Sequence, residues 1–181
     1  MKNVMLASAV VLAVAATPAY AKGTGKAMSD QQFVMEVAHV GTAEVELGKL
    51  ATDKASSDQV KTFGQRMADD HSKANDELKT LAQKKNITLP TELDAKHKAL
   101  RDRLMMLTGE GFDRAYIQAM VGGHRQAAHL FRMEGKSGKD PDIKEWAAKT
   151  LPTVEDHLKQ AQEISRGVVG TTGTMKHHAK Q

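Results

Sequence analysis

Alternation of apolar and polar residues, the mark of a half-buried strand, never persists in this 181-residue chain. Apolar residues recur instead three and four apart in four long stretches bounded by helix punctuation, which restricts the fold to packed helices. Ser29-Asp30-Gln31-Gln32 has the S-x-x-Q form of a capping box, and Ser56-Ser57-Asp58-Gln59 repeats it. The spacing predicts helices over about 30–55 and 58–86, the second ended by Asn86 and Leu89-Pro90. A shorter, charged helix is predicted over about 91–107, and a third long helix over about 111–134 after Thr108, Gly109 and Gly111. Gly135 to Lys139 reads as a loop, and Asp140-Pro141 as N-cap and first residue of a fourth long helix reaching about Ser165, with a kink expected at Pro152. A tight first turn, a long second connection and a short third one favour an all-α four-helix bundle with the additional short helix in the crossover. The alternative, an elongated repeat of helical hairpins, lacks any self-similarity of constant period.

The first 21 residues read as an address. Lys2 precedes an apolar run from Val4 to Ala16, and Ala19-Tyr20-Ala21 is a small-x-small cleavage site. That run is shorter than the roughly 20 residues a membrane span needs, and no later segment is continuously apolar. The expected organisation is a cleaved signal peptide over 1–21, a flexible segment over 22–28, a helical domain over 29–169 and a disordered tail over 170–181. The mature chain is then periplasmic or secreted, with no transmembrane helix.

The chain has no cysteine, which removes disulfide scaffolds, thiol nucleophiles, iron–sulfur clusters and CxxC zinc sites. Any metal site must use His, carboxylate or Met. The formal charge is +4, and basic residues alternate with acidic ones along the helices, so a nucleic-acid partner is disfavoured.

The informative residues are therefore polar ones in apolar registers. Phe33, Val37, Val40, Glu44, Leu47 and Ala51 form one seam, with Glu44 in its middle. The other three seams carry a histidine each: His71 between Met67 and Ala74, His124 between Met120 and Ala127, and His157 between Val154 and Ala161. Folding the first pair of helices about residue 56 sets Glu44 about 4.5 Å in height from His71, at a rise of about 1.5 Å per residue. Folding the last pair about residue 138 sets His124 about 7.5 Å from His157. Four helices can thus bring one carboxylate and three imidazoles to one layer, a donor set suited to zinc, copper, iron or nickel.

Each of these residues alone has a plainer reading as a hydrogen-bonded core histidine or a surface group. The coincidence of four, each otherwise paying for its own desolvation, is what favours a shared metal ion. Asp70 is a secondary candidate, as an outer ligand or a group orienting an imidazole; beside Asp69 on a polar face, a solvated pair is the favoured reading. Met67 and Met120 read as core filling. His39, His97 and His129 lack matching registers, and His177-His178 reads as a solvated tail. Gly135-Lys136-Ser137 has neither the upstream Gly nor the strand of a phosphate loop.

The stretches FVMEVAHVGTAEVELGKLA (33–51), VKTFGQRMADDH (60–71), FDRAYIQAMVGGH (112–124) and LPTVEDHL (151–158) together resemble the exported bacterial family known as domain of unknown function 4142. The resemblance implies a ferritin-like helical bundle and no assigned reaction. Ala68, Val121 and Val154 stand three residues before the seam histidines, where di-iron carboxylate enzymes place Glu, so a di-iron oxidase centre is disfavoured. Family members commonly carry Asp directly before the third-helix histidine; this chain has Gly122-Gly123, which removes an orienting carboxylate from His124 and predicts a local irregularity in the helix.

No catalytic motif is legible, so the residues favour a non-enzymatic protein. The leading reading is a periplasmic bundle holding one transition-metal ion with Glu44, His71, His124 and His157, for storage, buffering or stress protection. The alternative is a metal-free structural or protein-interaction bundle of the envelope; neither its partner nor the oligomeric state is legible. Imidazole binds metal only when neutral, so ordinary histidines would release the ion as pH falls below about 6.

Overall fold

A computed structural model describes residues 28–170. The expected leader, nearly all of the 22–28 segment, and the tail beyond 170 with His177 and His178 lie outside the described residues. Five helices follow one another: α1 (Asp30–Lys54), α2 (Asp58–Lys84), α3 (Ala95–Met105), α4 (Gly109–Ser137) and α5 (Pro141–Gly170). No strand occurs among the described residues. The four long helices form a bundle, with α3 in the crossover.

Local chemistry sets most helix ends. The Ser29 hydroxyl accepts from the Gln32 backbone N–H, and the Gln32 side chain accepts from Ser29 N–H, which completes the capping box expected at α1. The same motif at 56–59 does not close: Ser57 is the N-cap of α2 and makes no side-chain cap bond. Asp113 of α4 takes over, its buried carboxylate accepting from the backbone N–H groups of Ser56 and Ser57 at 3.0 and 2.9 Å. At the other end of α2, Asn86 adopts a left-handed φ of 56°, and Ile87 N–H donates to the Ala82 carbonyl while Asn86 N–H donates to that of Gln83. This is a Schellman stop, and it ends α2 two residues before the expected Asn86.

Other boundaries also differ from expectation, α5 running to Gly170 and not about Ser165. The crossover helix starts at Ala95 and not near 91, because Asp94 is its N-cap and accepts from His97 N–H at 2.8 Å. Helix α4 runs on through Gly135, Lys136 and Ser137, leaving 138–140 as the turn. Asp140 caps α5 as expected, accepting from Asp142 and Ile143 N–H. Pro152 and the Gly122-Gly123 pair both lie inside uninterrupted helices, so the expected irregularity at the glycines does not appear.

The helices pack as two antiparallel hairpins, α1 with α2 and α4 with α5, which close with α1 against α4 and α2 against α5. Polar ties fix the ends. Asp30 accepts from the backbone of Lys139 and Asp140 at one end, where Lys85 also pairs with Asp140 and Asp142; at the other, Asp113 holds the start of α2 and Lys54 donates to the Leu107 carbonyl. The core is split along the bundle axis. One apolar cluster centres on Phe33, Leu78, Phe131 and Trp146, the other on Leu47, Phe63, Phe112 and Tyr116. Glu44, His71, His124 and His157 fall between the two in sequence on their respective helices.

Helices α1 and α2 approach most closely at two glycines. A Cβ on Gly48 would stand 2.5 Å from the Gly64 carbonyl oxygen, and one on Gly64 would stand 2.6 Å from Ala51 Cβ. Gly48→Ala and Gly64→Ala should each destabilise the protein by about 1–3 kcal/mol through forced separation of the helices. Gly122 is the internal control, since an added Cβ there meets nothing within 4 Å. Gly122→Ala should stabilise by up to about 1 kcal/mol through helix propensity. Urea unfolding of the three variants checks both signs; a neutral Gly48→Ala would contradict the close approach.

Candidate metal centre

Three of the four seam residues meet. His71 from α2, His124 from α4 and His157 from α5 form a triangle with ring centroids 5.6, 5.4 and 5.4 Å apart. One ring nitrogen from each lies within 4.8 Å of the other two. His124 and His157 are almost wholly enclosed, and His71 is partly so.

Hydrogen bonds set the direction of two rings. His124 Nδ1 lies 3.0 Å from the Met120 carbonyl, one turn back on α4. A carbonyl only accepts, so the proton is on Nδ1 and the Nε2 lone pair is free. His157 Nε2 donates to Asp70 Oδ2 at 2.8 Å, which leaves Nδ1 as its free nitrogen. The remaining atoms, His71 Nε2, His124 Nε2 and His157 Nδ1, are buried with no hydrogen-bond partner. Lone pairs of this kind cost free energy to bury empty, and neutral imidazole nitrogen is the donor that zinc, copper, iron and nickel accept.

Asp70 is thus an orienting group and not one of a solvated pair. It is itself held by Arg66, whose Nε lies 3.2 Å from the same Oδ2 and whose other nitrogens reach Asp156 at 2.8 Å and Gln160 at 2.9 Å. Burial works to raise the Asp70 pKa, but the bonds from His157 and Arg66 hold its carboxyl below the ordinary value. Asp69 stays exposed and accepts from the Gln65 amide, as a solvated residue does.

Glu44 lies outside the group of three histidines. Its Oε1 lies 3.8 Å from His124 Nδ1, the protonated edge of the ring, and it stands apart from the cluster of three nitrogens. Glu44 faces the part of the bundle where α3 packs on α1 and α4. There Glu44 lines a cleft of about 440 Å³ together with His97, Lys96, Arg103, Gly122 and Gly123. Burial pushes the Glu44 pKa up, against the opposing pull of His124 and His97. His97 is not among the three grouped histidines; its Nδ1 bonds Asp94 at the start of α3. Met67 and Met120 are core residues, as expected.

A family model, the domain of unknown function DUF4142, matches residues 15–164. The chain belongs to this family. No curated protein matches it. Among solved structures, this DUF4142 chain is similar to a Streptomyces coelicolor protein described as a secreted DUF305 protein, with a TM-score of 0.64 and 16% identity over 79% of this chain and 94% of that one. At that identity the likeness concerns the helical fold alone. No helix among the described residues is long and apolar enough to cross a membrane.

Sequence reasoning missed Asp113 and the Met120 carbonyl. Asp113 acts across a gap of 57 residues, and a backbone acceptor leaves no trace in sequence. The environment also moves two of the histidines away from their ordinary titration range. Burial, reinforced by His124 and His157, pushes the His71 pKa well below its usual value. His157 is lowered to about 4, chiefly by burial, with the Asp70 hydrogen bond opposing. The His157 ring is therefore neutral, and competent as a ligand, below pH 6, and burial shifts His71 in the same direction. In NMR titrations of metal-free protein, the His157 ring carbons should keep their neutral shifts at pH 5 and move only near pH 4. A midpoint near 6.5 would contradict the burial argument.

Proposed function

We propose that the protein is an exported metal-binding bundle of the bacterial envelope, holding one transition-metal ion on His71, His124 and His157 in the periplasm. Asp70 orients His157, and Glu44 lies behind His124 as a buried neighbour and not a ligand. Storage, buffering or protection against metal stress are the roles that such a site serves without a catalytic motif. The observation that carries the reading is the set of three buried, unpartnered ring nitrogens contributed by three different helices. Two of the rings are turned inward by hydrogen bonds on their far side, the arrangement that metal-ligating histidines ordinarily show. The leader-like first 21 residues support export.

Elemental analysis of tag-free protein produced with its leader tests this directly. About one equivalent of a single transition metal per chain is expected, either as isolated or after titration. His71→Ala, His124→Ala and His157→Ala should each remove most of the affinity, and Asp70→Ala should weaken it roughly tenfold or more. His97→Ala, or removal of His177 and His178, should leave it unchanged. Under about a tenth of an equivalent of every transition metal, with no uptake on titration and no effect of chelator on Tm, would favour the metal-free structural bundle instead.

A further inference from the structure

The cleft beside Glu44 takes no part in the metal reading. It opens between α1, α3 and α4 with a volume of about 440 Å³, within the about 300–1,000 Å³ usual for small-molecule pockets. Its inner wall holds an unsatisfied acid: Glu44 is 5% exposed, and its Oε2 is buried with no hydrogen-bond partner. A donor entering the cleft would recover the free energy that this unpaired oxygen costs. Beside it the α4 wall is bare backbone at Gly122 and Gly123; a Cβ on Gly123 would stand 3.6 Å from Glu44 Oε1. On the α3 wall, His97 donates from Nδ1 to Asp94, which leaves its Nε2 as an acceptor.

The exposed residues of the lining carry the opposite charge. Lys96 and Arg103 have no ion pair among the described residues, and they stand with the amides of Gln118 and Gln126. The Arg101–Glu46 and Lys54–Leu107 contacts set α3 parallel to α1, which places Lys96 and Arg103 about 4.5 and 6 Å in height to either side of Glu44, at a rise of about 1.5 Å per residue. Glu36, the other acid of the lining, is about 12 Å along α1 from Glu44.

We infer that the cleft binds a small zwitterion of the amino-acid class, with its ammonium against Glu44 and His97 and its carboxylate at the mouth with Lys96 and Arg103. An ammonium brings three donors and the charge opposite to that of a carboxylate. A cation with no counter-charge would meet Lys96 and Arg103 unpaired, and an anion with no ammonium would leave Glu44 unsatisfied. The remaining walls are apolar, with Leu47, Leu100, Leu104 and Leu130, which suits an aliphatic side chain. The inference does not depend on an ion at the three histidines.

The test is titration of L-leucine into tag-free protein produced with its leader and stripped of metal by chelator, so that the amino acid has no ion to coordinate. Saturable amide NMR shifts are expected at Glu44, Gly122, Gly123 and the first turns of α3. Isocaproate, which lacks the ammonium, should bind at least about tenfold more weakly than leucine, and so should leucine to Glu44→Gln. Leucinamide, which lacks the carboxylate, should bind roughly two- to fivefold more weakly. Lys96→Gln with Arg103→Gln changes only exposed residues; it should weaken leucine by the same factor and leave leucinamide unchanged. No saturable shift with leucine, or shifts confined to another part of the bundle, would overturn the inference. Isocaproate binding as well as leucine would overturn the ammonium site at Glu44, and leucinamide binding as well as leucine would overturn the carboxylate site at the mouth. Metal binding at His71, His124 and His157 is read separately, by the elemental analysis above.

Discussion

The organisation of the bundle turns on a polar layer that interrupts its core. His71, His124 and His157 sit between two apolar clusters, and each presents a buried nitrogen with no partner. An unfilled buried polar group costs about 1–3 kcal/mol, so an arrangement with three of them is expensive for a chain that gains nothing from it. Two of the rings are nevertheless held firmly, one by the Met120 carbonyl and one by the Asp70 carboxylate. The hydrogen bonds that satisfy the outer edges are the ones that turn the empty edges inward. Burial then keeps His71 and His157 neutral, as an imidazole donor must be.

Bringing three helices to one height demands that the hairpins be in register, and the ends of the bundle supply that. Asp30 binds the backbone at the α4–α5 turn, and Asp113 binds the backbone at the α1–α2 turn. Each carboxylate thus comes from one hairpin and closes the turn of the other. The glycine contact between α1 and α2 fixes their separation in the same way that these caps fix their height. Arg66 links the layer to the surface, joining Asp70 of its own helix to Asp156 and Gln160 of α5.

What the sequence disclosed follows a physical divide. Helix periodicity is a local property, and it placed four long helices and the crossover helix with boundaries off by a few residues. The capping box at Ser29 is local and was legible; the cap on α2 is supplied by Asp113 and was not, so Ser56 and Gln59 suggested a box that does not close. Gly135, Lys136 and Ser137 have the composition of a loop, yet they continue α4, with Gly135 close against Ala148 of α5. His71, His124 and His157 were visible because a polar residue on an apolar seam has few places to go. Glu44 satisfied the same criterion and the same height estimate, but periodicity does not say to which side of a facing ring a side chain will pass. Asp70 was offered as an orienting group, but its register toward solvent favoured the solvated reading, and only the meeting of α2 with α5 brings His157 to it.

Anomalous diffraction at the metal edge, from crystals of protein loaded with zinc or cobalt, tests the central claim most directly. The account expects a single peak within about 2.0–2.1 Å of one nitrogen from each of His71, His124 and His157, with Glu44 outside the coordination sphere. A peak coordinated by Glu44 and His97 in the α3 cleft, a peak at the C-terminal histidines, or loaded crystals with no peak between α2, α4 and α5 would contradict it.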